Sequence, residues 1–248
     1  MDEKSSSRVL VVGGTGYLGK RLVKASLANG HPTFVLHRPE VGVDIDKIQM
    51  LLSFKEQGAK LVQASFSDHQ SLVDAVKQVD VVICAISGVH IRSHQILLQL
   101  NLVQAIKEAA GNIKRFIPSE FGTDPSRMMD AIAPGRVTFE DKMSVRKAIE
   151  EAGIPFTYVT ANCFAGYFVG GLCQPGAIIP SNQHVSLLGH ANAKGLEYAE
   201  QVGLGHYYHV CYEGCLTNFE IGDNEEEATK LYPEVNYVRV KDYLKRYL

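Results

Sequence analysis

The sequence predicts an α/β fold, a doubly wound parallel sheet followed by a small second lobe. Three observations carry that expectation. Apolar runs alternate with amphipathic segments through the first two thirds of the chain. Several of those runs are unbroken, as strands covered on both faces require. The first run ends in a glycine-rich turn that opens the first helix.

Arg8-Val9-Leu10-Val11-Val12 is too apolar for an edge strand and runs straight into Gly13-Gly14-Thr15-Gly16-Tyr17-Leu18-Gly19. In such a strand-loop-helix arrangement Gly13 makes the tight turn, Gly16 lets a pyrophosphate approach the backbone, and Gly19 lets the helix pack closely on the strand. The helix start adds free N–H groups and a favourable dipole end. Gly13, Thr15, Gly16, Tyr17, Leu18 and Gly19 are therefore expected to contact a dinucleotide, and the fold is of the Rossmann, NAD(P)-binding type. Helix Leu18 to Asn29 is stopped by Gly30, and a second strand follows over Pro32 to Leu36. Its end carries His37-Arg38 where an NAD-binding chain places Asp or Glu. Arg38 is thus expected to pair with a 2'-phosphate, which selects NADPH, and Lys47 is a second candidate cation.

Helix Asp46 to Gln57 ends at Gly58, and strand Lys60 to Ala64 follows. Ser67 with Gln70 makes a capping box for helix Asp68 to Lys77, and Val79 to Ile86 reads as a fully buried strand. Next come a long helix, Ser93 to Ala110, and strand Arg115 to Ile117, leading into Pro118-Ser119-Glu120-Phe121-Gly122. Helix Val137 to Ala152 ends at Gly153, before strand Phe156 to Thr160. Ligands of such sheets sit beyond the carboxyl ends of the strands, which selects the loops after Val12, Leu36, Ile86, Ile117 and Thr160. Residues 1–160 form the dinucleotide-binding domain. Residues 161–248 form the second lobe, aromatic and glycine-rich at first. A short strand His184 to Leu188, an aromatic helix around Tyr207 to Tyr212 and a solvated helix start at Asp223 to Glu227 follow.

A chain of 248 residues, 46% of them hydrophobic, can bury one such core. A formal net charge of -2 without long charge runs leaves no footprint for nucleic acid or an anionic membrane, so a small molecule is the expected partner. No apolar run approaches a membrane span, and Met1 to Ser7 lacks the apolar stretch of a secretory leader, so a cytoplasmic location is expected. The five cysteines contain no CxxC pair and suit reduced thiols, with no metal site.

Thr138, Lys142 and Arg146 are spaced four apart, so they share one face of a helix at the sheet's carboxyl edge. Lys142 is the catalytic candidate. A cation one turn away, with partial burial beside a nicotinamide, lowers its pKa towards that of a general base. Arg146 either holds cofactor or orients Lys142; the alternative is a solvated basic face paired with Glu140, Asp141 and Glu150. Thr138 stands where ordinary short-chain dehydrogenases carry tyrosine, and its hydroxyl is too weak an acid to protonate a carbonyl. A lysine acting alone suits removal of a phenolic proton, because a phenol's pKa of about 10 lies close to its own.

Gly13 to Gly19 with Arg38-Pro39-Glu40, Pro118 to Gly122, Phe139-Glu140-Asp141-Lys142, Asn162 to Phe168 and His206-Tyr207-Tyr208 through Glu213-Gly214 together resemble the plant NADPH-dependent isoflavone and benzylic ether reductases. The likeness runs from Arg8 to Lys194 and again from Leu196 onward, and is greatest to the branch that reduces lignans. The resemblance implies that Lys142 takes a phenolic proton, the benzylic C–O bond breaks, and hydride from NADPH reduces the resulting quinone methide. Pinoresinol would thus become lariciresinol and then secoisolariciresinol. It also implies cofactor contacts from Ser87 and Gly88, a specificity loop from Val89 to Arg92, and Phe164 flanking nicotinamide and substrate. His206 would be a substrate-binding histidine, and the protein a homodimer. A packed helix histidine is the other reading of His206. Phenylcoumaran benzylic ether reductase, isoflavone reductase and a noncatalytic NADP-sensing regulator stay open as alternatives. The related reductases carry a sizeable block between Gly189-His190-Ala191-Asn192-Ala193-Lys194 and the helix leading to His206. This chain lacks that block, so its substrate lobe is expected to be shortened near Gly195.

Overall fold

The computed structural model describes residues 6–87, 95–109, 111, 113–162, 197–209, 213–215 and 219–245. β1 (Val9–Val12), β2 (Thr33–His37), β3 (Lys60–Gln63), β4 (Val81–Cys84) and β5 (Arg115–Ile117) form one sheet in the order β3-β2-β1-β4-β5. Every pairing is parallel, with Val12 opposite both Leu36 and Cys84. The chain runs outward from β1 through β2 to β3, then returns to β1's other side with β4. A topological switch point therefore lies beyond Val12.

Both faces of the sheet are covered, which is why β1 is buried at all four positions. On one face Leu10, Val12, Phe34, Val82 and Phe116 pack with side chains of α3 (His69–Val76), α4 (Gln99–Glu108) and α5 (Val137–Glu151). On the other, Val9, Val11 and Val35 meet Val23 of α1 (Gly19–Ala28) and Leu51 and Phe54 of α2 (Ile45–Glu56). Phe116 lies at the centre of the larger cluster with no exposed surface. Phe116→Ala is expected to cost about 3–5 kcal/mol of stability, lost transfer plus a residual cavity, measured by urea unfolding.

Several boundaries differ from expectation, each for a local reason. α3 is capped by Asp68, whose carboxylate accepts from the Ser71 N–H at 3.2 Å; the Ser67 hydroxyl is engaged with Ser65 instead. β4 is four residues long because β1 offers only four partners, and Val79 closes the turn after α3. The expected strand Phe156 to Thr160 is a single parallel bridge, Phe116 to Phe156. Phe116 donates to Pro155 O and Thr157 to Phe116 O, but the next donor would be Pro118, which has no N–H. α4 is preceded by a 3-10 turn, Gln95–Leu98. α6 (Tyr198–Tyr207) lies ahead of the aromatic run where a helix was expected. α7 (Ala228–Leu231) follows the acidic stretch, with Glu227 as its N-cap, and α8 is Val240–Leu244. The expected strand His184 to Leu188, the block boundary near Gly195 and residues 210–212 lie outside the described residues.

Candidate active site

The carboxyl edge of the sheet is shaped first by its glycine turn. Gly13 adopts φ +81°, and a Cβ there would lie 2.7 Å from the Ala85 carbonyl oxygen beyond β4. At Gly19 a Cβ would lie 2.0 Å from Gly13 O, so α1 can approach β1 this closely only without a side chain. Gly16 N–H donates back to Gly13 O at 3.0 Å and closes the turn. Gly16 and Tyr17 are exposed at its crest, Thr15 and Leu18 half-buried, and the first turn of α1 carries no acid. This cradle fits a dinucleotide phosphate: backbone can approach closely, and no carboxylate opposes the anion.

Arg38, exposed at the end of β2, has no ion pair among the described residues. Lys47 is paired with Asp44, the residue that caps its own helix. Of these two candidates Arg38 is the one without an ion pair among the described residues. Arg38→Ala is expected to weaken NADPH binding by roughly tenfold or more while leaving NADH binding unchanged, as read by calorimetric titration of both cofactors. Ser87 is exposed beyond β4; Gly88, Val89 and Phe164 lie outside the described residues.

The second half of the site is built on α5 and the loop after β5. The Ser119 N–H donates to Gln99 Oε1 at 2.7 Å and its hydroxyl to Ile86 O at 2.7 Å, which anchors the loop to α4 and to the chain beyond β4. Lys142, 9% exposed, donates from Nζ to the Glu120 carbonyl oxygen at 2.6 Å. A Cβ on Gly122 would lie 3.7 Å from that Nζ, so the absent side chain leaves room beside the amine. Phe121 and Asn162 carry φ of +22° and +51°, and the Asn162 N–H donates to Gly122 O at 3.1 Å. Asparagine tolerates left-handed backbone, so the strain falls on Phe121, in the loop whose Glu120 carbonyl holds the lysine.

Arg146 is buried and faces inward. Its guanidinium meets both Glu120 carboxylate oxygens and Asp124, and covers the ring of Tyr158. Of the two roles expected for Arg146, this placement favours orientation of Lys142 over contact with cofactor. Thr138 Oγ1, where a dehydrogenase tyrosine would stand, is buried without a hydrogen-bond partner among the described residues. His206 donates from Nε2 to Gly135 O at 3.0 Å and packs its ring on Phe139, centroids 5.1 Å apart. It is a packed helix histidine in its contacts, one that also lies close enough to Lys142 to feel its charge.

Burial pushes the Lys142 amine below the ordinary lysine range; Glu120 and Asp124 oppose that shift and Arg146 adds to it. Burial likewise lowers His206, against the hydrogen bond to Gly135. Burial works to raise Asp124, but its bonds with Ser126 and Arg146 hold it below the usual carboxylate value. The arrangement is a buried amine, biased towards its neutral form and held by backbone, at the sheet edge that carries the glycine cradle. Sequence reasoning missed Glu120, Asp124 and Tyr158. The available signal was two acids flanking Gly122 in a loop that precedes two bases on one helix face. Among the described residues no group of side chains could hold a metal ion, and no helix is long and apolar enough to cross a membrane.

The sequence profile of the NmrA-like family matches residues 5–190. The bifunctional pinoresinol-lariciresinol reductases of Linum corymbulosum and Forsythia intermedia are 60% and 56% identical to this chain. Each alignment spans 98% of this chain, with 98% and 99% of the respective relative. Both run over 311 residues against 248 here, so the relatives carry an internal stretch without counterpart in this chain. Among solved structures, AtPrR2 with NADP+ and (+)pinoresinol superimposes with a TM-score of 0.89 at 46% identity, over 99% of this chain and 100% of that one. A crystal structure of isoflavone reductase gives 0.81 at 28% identity, over 98% and 100%. With the parallel sheet, the glycine cradle and the buried lysine, these likenesses show that the chain belongs to the NmrA-like family, on the branch that holds the pinoresinol-lariciresinol reductases.

Proposed function

We propose that this protein is an NADPH-dependent reductase that opens the benzylic ether rings of pinoresinol, giving lariciresinol and then secoisolariciresinol. The observation that carries this reading is Lys142, a buried amine held by the Glu120 carbonyl and kept below the ordinary lysine range by its burial. The residues fitted to hold NADPH are Gly13, Thr15, Gly16, Tyr17, Leu18 and Gly19, with Arg38 for the 2'-phosphate and Ser87 beyond β4. When bound, NADPH supplies the hydride for the benzylic carbon.

Lys142 accepts the substrate's phenolic proton. The phenolate pair pushes through the ring, the benzylic C–O bond breaks, and the ether oxygen leaves with the bonding pair and takes a proton from solvent, the one H+ the overall reduction consumes. The ring system is then a quinone methide, whose reduction restores a phenolate that retakes the proton from Lys142. The neutral amine is the competent form, and burial favours it over the ammonium. Phe139, one turn before Lys142 on α5, and His206, whose ring packs on it, are the aromatic groups proposed to face the phenol. Phe164 and Val89 complete the proposed substrate contacts, and a cytoplasmic homodimer completes the reading. Cys84, a buried thiol that burial pushes up to about 12, supports the reading of a reducing compartment.

Purified protein incubated with NADPH and racemic pinoresinol, followed by chiral chromatography, tests this reading. Lariciresinol is the expected product. Turnover of a phenylcoumaran or an isoflavone in its place would assign one of the neighbouring activities, and NADPH binding without turnover of any would leave a regulator.

A further inference from the structure

We propose that Glu120 and Arg146 are positioning residues for Lys142, jointly locking the loop whose carbonyl oxygen aims the lysine amine. The kinetic part of this inference rests on the ring-opening reading above. Glu120 acts at both of its ends. Its carbonyl oxygen takes the Lys142 hydrogen bond at 2.6 Å. Its carboxylate accepts from Arg146 Nε at 3.2 Å and from Nη2 at 3.0 Å. Arg146 Nη1 reaches Asp124 Oδ1 at 2.9 Å, and the guanidinium carbon lies 4.2 Å from the centre of the Tyr158 ring. The Tyr158 hydroxyl in turn donates to Glu150 at 3.1 Å.

A guanidinium held on two edges and one face cannot rotate, so it braces the loop rigidly against α5. Lys142 and Arg146 stand one turn apart on that same helix. Any slack in the Glu120–Arg146 pair therefore displaces the acceptor relative to Nζ. Burial makes a further point: the two side chains are only 3% and 9% exposed. A buried ion pair gains the fold little over well-packed apolar side chains, so its presence calls for a role besides stability.

The groups facing Lys142 are Glu120 and Asp124 from the loop, Arg146 from α5 and His206 from α6, with Tyr158 behind Arg146. The carboxylates favour the protonated amine and the guanidinium disfavours it. The two proposed partners therefore hold one geometry while biasing the proton in opposite directions.

The test compares Arg146→Gln and Glu120→Gln with the wild-type chain by kcat, KM for pinoresinol, NADPH Kd and the titration of Lys142. The titration is followed by NMR of 13C-labelled lysine and assigned by the signal lost in Lys142→Met. Both variants are expected to lower kcat by about tenfold or more, with KM and NADPH affinity within about twofold. The Lys142 midpoint is expected to move up in Arg146→Gln and down in Glu120→Gln. Arg146→Lys keeps a cation but cannot bridge both carboxylates, so it should hold the midpoint near wild type without restoring kcat. Unchanged kcat, or a kcat restored by Arg146→Lys, would overturn the proposal, since a pair that acts on Lys142 only through its charge is rescued by the retained cation. Should a Gln variant fail to fold, Arg146→Lys and Asp124→Asn carry the test, the latter with a downward shift expected. If the wild type binds NADPH but leaves pinoresinol untouched, the ring-opening reading fails and the positioning claim is decided by the Lys142 signal in Arg146→Lys, expected to shift or broaden at an unchanged midpoint and overturning the claim if it matches wild type.

Discussion

Lys142→Met is expected to bind NADPH with native affinity and to turn over pinoresinol about a thousandfold more slowly, since a positioned general base contributes roughly a hundredfold to ten-thousandfold. Methionine keeps the length and apolar stem of the side chain and removes the buried charge, so the fold should hold or gain stability. A matched thermal melt and calorimetric titration separate lost chemistry from lost structure. On the proposed mechanism only the neutral amine of the wild type accepts the phenolic proton. Activity therefore rises with pH through a midpoint below 10.5, the ordinary lysine value, because burial depresses it. Folding stability moves the same way. The unfolded chain holds the lysine proton up to its ordinary pKa and the native state releases it earlier, so stability attributable to Lys142 grows as pH climbs between those two values. Turnover within a few fold of wild type in the Met variant would remove the lysine from the mechanism.

Gly19→Ala is expected to abolish measurable NADPH binding, a loss of about a hundredfold or more. The added Cβ would sit 2.0 Å from Gly13 O, a backbone atom that cannot swing aside as a flexible side chain does. Relief requires α1 to tilt off β1. That movement lifts Val23 from the core and turns the helix's first N–H groups away from the phosphate position. Gly42→Ala is the control, because a Cβ there meets nothing within 4 Å. Calorimetric titration with NADPH and a thermal melt with and without cofactor read the result. Affinity within about twofold of wild type in Gly19→Ala would mean that this turn does not hold the dinucleotide.

The periodic elements were legible because their signals are local. Gly30, Gly58 and Gly153 end α1, α2 and α5 in left-handed backbone, as their places in the sequence suggested. The misreadings share a different cause. Ser67 and Asp68 are both good N-caps in sequence, and the choice fell to whichever carboxylate or hydroxyl the folded turn placed under the Ser71 N–H. Phe156 to Thr160 has strand composition, yet its pairing depended on Pro118, the residue just past β5 and distant in sequence. Lys47 stood as a second candidate cation beside Arg38, and only the folded turn at Asp44 engaged it in an ion pair.

The parallel sheet, the tight glycine turn after β1 and the shared helix face of Lys142 and Arg146 were already written in the amino-acid sequence. Each is encoded in a short window whose hydrophobic period, glycine spacing or helical repeat has one favoured geometry. Only the tertiary structure decided what surrounds that lysine. Glu120 and Asp124 precede it by a loop and a 3-10 turn, Tyr158 follows it after a turn, and His206 arrives on a helix far along the chain. Burial and charge act through space, so the proton affinity of Lys142 is set by groups whose proximity exists only once the loop after β5 has folded back onto α5.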